Sequence, residues 1–177
     1  MNILLRCRYY WLPLGIFILS SFISCLGEPA GARKLIFYNL HTHERLEVLY
    51  KNEGFYILPA IEKINYILRD HRTGEIHSID SNLLDFLYDL LHEVNYHGDI
   101  HVISAYRSPE TNKKLREKDP GVSAKSLHMQ GKALDFRLPG LDTRTLRDKA
   151  LSLKRGGVGY YERADFIQID TGRVRFW

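Results

Sequence analysis

The chain is nearly devoid of cysteine. It has two, Cys7 and Cys25, and both lie in the first 26 of its 177 residues. Everything after Cys25 lacks thiols, which excludes a disulfide framework and a cysteine-ligated zinc site there. Acid is missing from the start as well: no Asp or Glu precedes Glu28, while Arg6 and Arg8 stand ahead of an apolar run from Trp11 to Leu26. That run is interrupted by Pro13, Gly15 and several serines, and it falls short of the ~20 apolar residues of a membrane span. A basic head followed by a short apolar stretch reads as a secretory leader, with an uncleaved anchor as the alternative. The chain also has no internal repeat, no low-complexity tract, and no dense Lys/Arg stripe interleaved with aromatics, so nucleic acid is not an expected partner.

Two processing sites compete. Ala30-Gly31-Ala32 offers small residues at both positions a signal peptidase reads, which makes residues 1–32 a leader and 33–177 one domain. Phe22-Ile23-Ser24-Cys25 loosely resembles a lipobox, in which Cys25 is lipidated and tethers the protein to a membrane. The remainder is ordinary for a globular domain, with 45% hydrophobic and 26% charged residues. A net charge of +4 mildly favours anionic partners such as a wall polymer or membrane surface.

Hydrophobic periodicity predicts the elements. Lys34 to Leu40 and Arg45 to Tyr50 read as strands around the turn His41-Thr42-His43. A helix runs from Pro59 through Ile61, Ile64, Ile67 and Leu68, and the 71–77 segment is a loop. Leu83, Leu84, Leu87, Leu90, Leu91 and Val94 form the strongest helical stripe, capped by Asp80 or Ser81. Asp99 to Ala105 is a strand, and Ser108-Pro109 opens a helix. Ala133 to Leu138 is a second central strand. Thr143 to Leu153 is a helix stopped by Gly156-Gly157, and Val158 to Tyr161 pairs with Phe166 to Asp170. The expectation is an α+β domain with helices packed on a small, mostly antiparallel sheet.

Strand alternation puts Ala133, Asp135 and Arg137 on one face and Leu134, Phe136 and Leu138 on the other. A carboxylate inside such a strand needs a cation, a donor or a metal. His128 in the preceding loop and Asp135 are both good zinc ligands, and a salt-bridged polar pair is the alternative. Gln168 and Asp170 share a face of the last strand, while Asp165 sits at its start; Asp170-Thr171-Gly172 also reads as a turn. Arg107, between strand and helix, suits a carboxylate or a polarised carbonyl, or else an internal ion pair. His41 and His43 fall at a hairpin turn facing solvent, and His101 is kept as a reserve ligand.

Together, Ile103-Ser104-Ala105-Tyr106-Arg107-Ser108, His128 through Asp135-Phe136, Gly156 through Tyr161, and Phe166 through Gly172 resemble the murein endopeptidase K family. These are M15-type zinc peptidases of the M15/hedgehog-type fold, and the likeness runs from about Leu35 to Trp177, including the Asn39-Leu40-His41-Thr42 turn. The resemblance implies an exported, periplasmic enzyme that cuts peptide cross-links in peptidoglycan. It makes His128 and Asp135 zinc ligands and Arg107 the arginine that holds or polarises substrate, with Tyr106 and Ser126 beside it. The family has His where this chain has Gln168. Gln168 then ligates through its amide oxygen, or Asp170 or His101 substitutes, or the site has lost zinc and the protein binds the wall without cutting it. The general base is Asp165 by position or Asp170 by strand face. A carboxypeptidase trimming wall stems is a further alternative.

Overall fold

The computed structural model describes residues 31–177. The leader, both processing sites and Cys25 lie outside the described residues, apart from Gly31 and Ala32.

Strands β1 (Arg33–Asn39) and β2 (Arg45–Asn52) form the expected hairpin, and β2 turns again into the two-residue β3 (Phe55–Tyr56). Helices α1 (Leu58–Ile67) and α2 (Ser81–Glu93) follow, α2 capped by the Asp80 carboxylate, which accepts from the Asn82 N–H. Next come β4 (Ile100–Ser104), α3 (Pro109–Lys118), a 3-10 turn at Leu127–Gln130, and β5 (Ala133–Arg137). Helix α4 (Thr143–Leu153) leads to β6 (Gly157–Tyr161), β7 (Phe166–Asp170) and the two-residue β8 (Arg175–Phe176).

The architecture is α+β, as expected, but the sheet is larger and more mixed. Among the described residues, eight strands run in the order β3-β2-β1-β4-β5-β7-β6-β8, and β1 pairs with β4, and β6 with β8, in parallel. Short strands and long-range parallel pairings leave no local period to read. A second difference concerns the end of α4. Lys154, in the left-handed region at φ 52°, terminates the helix, and Gly157 already belongs to β6. The backbone of Gly156 lies against the Asp170 carbonyl, where a Cβ has no room.

The core lies on one face of the sheet. Leu35, Phe37, Ile100, Val102, Leu134, Phe136, Ile167, Ile169 and Val158 alternate inward and meet the leucine stripe of α2 together with α1 and α4. The other face carries Asp135 and Gln168. The 3-10 turn at Leu127–Gln130 packs against β5 there. This division places the polar residues of β5 and β7 where a ligand can reach them.

Candidate functional site

Asp135 is buried, directly opposite Gln168 on β7, and also pairs with Ser104 across a bulge in β4. Arg107, just past β4, donates from Nη2 to Asp135 Oδ2 at 2.5 Å and from Nε to Ser104 Oγ at 2.8 Å. Its position is fixed by its neighbours. Ser108 caps α3 by accepting from the Thr111 N–H, and the Ser108 N–H donates to the buried Asp70 carboxylate at 2.8 Å. Burial alone would raise the Asp70 pKa. Hydrogen bonds from Thr111, Ser108 and Arg72 outweigh it and hold the carboxyl at about 2.

His128 arrives from the 3-10 turn. The Ser126 hydroxyl accepts from the His128 N–H at 3.4 Å, and Gly131 closes the turn at φ +63°. An added Cβ at Gly131 would strike the Ser78 carbonyl, so the 77–80 segment clamps the turn from outside. The His128 Nδ1 lies 2.6 Å from the Ala105 carbonyl oxygen. A carbonyl only accepts, so Nδ1 carries the hydrogen and Nε2 is free to ligate.

That Nε2 faces two oxygens, Gln168 Oε1 at 3.2 Å and Asp135 Oδ1 at 3.3 Å. Asp135 Oδ1 is buried and accepts no hydrogen bond among the described residues. The Gln168 amide is oriented by its own nitrogen, which donates to Asp170 Oδ2 at 3.4 Å and leaves Oε1 pointing at His128. Three electron-pair donors thus converge with no hydrogen shared among them, an arrangement that calls for a cation between them. The two separations from His128 Nε2 are those of ligands sharing one zinc ion at ~2.0–2.1 Å, about 3.3 Å apart in a tetrahedron. The residues present therefore fit a zinc ion. Among the described residues there is no group of three or more His, Cys, Asp or Glu able to hold a metal; here the third donor is an amide.

The other expected residues are placed differently. Asp170 is fully buried, and Oδ1 accepts from the N–H groups of Gly157 and Gly172 and from Arg175, while Oδ2 accepts from Arg175 at 2.7 Å. Its carboxylate is spent on the strand end and on Gln168. Asp165 adopts the left-handed conformation at the mouth of β7, its side chain 64% exposed, accepting from Thr143 and lying 3.8 Å from Arg137. Tyr106 is buried, with its ring stacked on His77 and its hydroxyl donating to Glu75 at 2.5 Å, which pins the 71–77 loop and holds the phenol up at about 12, burial first and Glu75 second. Ser126 is buried and supports His128. His101 stands opposite Arg137, against Tyr38, outside the cluster. His41, exposed at the hairpin turn, stacks on His71 at 3.8 Å. Burial first, and then the nearby charges of His41, Arg72 and Arg107, push His71 down to about 4.

Sequence reasoning missed Arg175. It lies five residues past its partner, on a strand of two residues, and nothing local marks it as the group that neutralises Asp170.

The family model described as peptidoglycan L,D-endopeptidase MepK matches residues 28–177. Among similar proteins, the peptidoglycan L,D-endopeptidase MepK of Escherichia coli is 41% identical over 164 residues, 93% of this chain and 90% of that protein. The Haemophilus influenzae protein named probable peptidoglycan L,D-endopeptidase MepK is 36% identical over 167 residues, covering 94% of this chain and 90% of its own. No solved structure matches the chain.

Proposed function

Because the chain belongs to the peptidoglycan L,D-endopeptidase MepK family of M15 peptidases, we propose that it hydrolyses peptide cross-links of peptidoglycan with a zinc ion held by His128, Asp135 and Gln168. The carrying observation is that His128 Nε2 faces both Gln168 Oε1, at 3.2 Å, and Asp135 Oδ1, at 3.3 Å.

Zinc bound there supplies a Lewis acid and brings the pKa of water towards neutrality. The chain's own residues do the rest. The Ala105 carbonyl fixes the His128 tautomer, a support that raises the basicity of a ligating imidazole. Arg107 neutralises one carboxylate oxygen of Asp135 and presents the remainder of its guanidinium fork to the scissile carbonyl, where a fixed cation stabilises developing negative charge. Asp165 keeps a solvent-facing carboxylate and is the acid with capacity to accept a proton; Asp170, saturated by Arg175 and two N–H groups, orients the Gln168 amide. Tyr106 and Ser126 serve the substrate by holding the walls around Arg107 and His128.

Substrate in the wall and a leader of the secretory type support export to the periplasm. Among the described residues no helix is long and apolar enough to cross a membrane, so a tether falls to the leader or to Cys25.

One observation favours a second reading. The amide oxygen of Gln168 is a neutral and weaker donor than an imidazole, which suits a wall-binding relative without hydrolysis. Purified peptidoglycan, cross-linked peptide dimers and monomeric stems, each incubated with the protein with and without chelator, decide the matter. Chelator-sensitive cleavage of dimers is expected. Cleavage of monomeric stems alone indicates a carboxypeptidase, and binding without cleavage indicates the second reading.

A further inference from the structure

Strand register extends the site sideways. Ser104, Asp135, Gln168 and Gly159 form one row across β4, β5, β7 and β6. The next row on the same face lies two residues along β5, β7 and β6 and, across the bulge, three along β4, about 7 Å away. There Tyr38 stands opposite His101, His101 opposite Arg137, and Phe166 opposite Tyr161, with the β5–β7 register bringing Arg137 beside Phe166. Five side chains from five strands thus line up, spanning roughly 19 Å at ~4.8 Å per strand.

The row holds an aromatic pair at each end, with Arg137 between them. The rings of Tyr38 and His101 are 5.3 Å apart, and those of Phe166 and Tyr161 stack at 4.5 Å. Arg137 between them is close to the exposed Asp165 carboxylate only at 3.8 Å, which leaves most of its fork unengaged. Tyr161 remains 37% exposed, and Tyr38, His101, Arg137 and Phe166 are half-buried. Contiguous aromatics that cover no core mark a binding surface more often than a packing one.

Trp177 closes one end. Backbone hydrogen bonds tie it to β6, Tyr160 N–H to the Trp177 carbonyl and Trp177 N–H to the Val158 carbonyl. Its indole N–H donates to the Tyr161 hydroxyl at 3.1 Å, and Arg175 lies over the ring at 4.7 Å. The ring occupies the notch of Gly159, where a Cβ would fall 2.6 Å from indole carbon. Gly159 is the residue opposite Gln168, so the indole, 45% exposed, sits beside the zinc-binding cluster on the side away from Arg107.

We propose that this row, Tyr38, His101, Arg137, Phe166 and Tyr161 with Trp177, is the track on which an extended, anionic peptide strand of the substrate lies beside the cluster. The rings pack on its apolar groups, and Arg137 pairs with a carboxylate. The span accommodates about five or six extended residues at ~3.3 Å each. A guanidinium fork at its middle matches a carboxylate rather than a neutral sugar, which favours peptide over glycan. The identity of the occupant rests on the endopeptidase reading; the track itself rests on register and exposure.

The test uses the full chain. It has two tryptophans, so Trp11→Phe leaves Trp177 as the only indole reporter. Soluble cross-linked peptides added to metal-free protein are expected to shift Trp177 emission saturably, and Arg137→Gln to weaken this binding by about tenfold. In the zinc-loaded enzyme, Arg137→Gln and Tyr161→Ser raise KM with little effect on kcat, whereas Phe55→Ser, 78% exposed at the far edge of the sheet, changes neither. Unchanged binding and KM in both track variants overturn the proposal while leaving hydrolysis standing. Saturable binding that the variants lose, in a protein that cleaves nothing, upholds the track and overturns the endopeptidase reading instead. Equal binding of glycan strands stripped of peptide overturns the assignment of a peptide occupant.

Discussion

Arg107 Nη2 meets Asp135 Oδ2 at 2.5 Å and leaves Asp135 Oδ1 bare, 3.3 Å from His128 Nε2. One carboxylate thereby serves two cations on its two oxygens, the guanidinium on one side and the proposed zinc on the other. Lysine at 107 keeps the charge but loses the second contact, from Nε to Ser104. Arg107→Lys is expected to lower kcat by a factor on the order of 100, the scale of losing one oriented charge stabiliser, with zinc content retained. Steady-state kinetics alongside metal analysis check this; loss of zinc in parallel with activity assigns Arg107 to metal retention instead.

Asp165 and Asp170 separate cleanly by substitution. Asp165→Asn removes an exposed carboxylate and is expected to lower kcat while sparing zinc affinity. Asp170→Asn leaves Arg175 without its buried partner and frees the Gln168 amide to rotate, so zinc affinity and stability fall together. Thermal melts and zinc titrations of the two variants distinguish the roles.

Gln168→His installs an imidazole where the amide oxygen now points. Zinc affinity is expected to rise tenfold or more, each tenfold being about 1.4 kcal/mol. Competition with a chromogenic chelator measures it. Unchanged affinity means that Gln168 Oε1 is not where the metal sits.

The pH dependence of stability follows from Asp70. Its carboxyl is held at about 2 in the fold, against 3.8 for the ordinary group. A depressed acid stabilises the fold fully above its unfolded pKa, and the contribution disappears as pH falls from about 4 through about 2, in all about 2 kcal/mol. Asp70→Asn is expected to lower Tm at neutral pH and to flatten the Tm profile over that acid window. An unaltered acid slope in the variant assigns the slope to other carboxylates.

Much of this was legible in the sequence because it is local. Period-two alternation put Asp135 and Gln168 on faces opposite the core, Ser108 caps the helix it was expected to cap, and of the two candidates Asp80 and Ser81 it is Asp80 that caps α2. What alternation cannot supply is partnership across the chain. That the Ala105 carbonyl fixes His128, that Arg175 neutralises Asp170, and that Gly159 opens a notch for Trp177 depend on register between distant strands. The parallel pairing of β1 with β4 joins segments about 60 residues apart and carries no turn signal. Strands β3 and β8, two residues each, are strands only because a neighbour pairs with them.

The central claim is that His128, Asp135 and Gln168 hold one zinc ion. Isothermal titration of chelator-stripped protein with zinc, repeated on a folded His128→Asn variant, tests it most directly. One site per chain, lost in the variant, is the predicted result. No binding in the wild type, or binding undiminished by His128→Asn, contradicts the account.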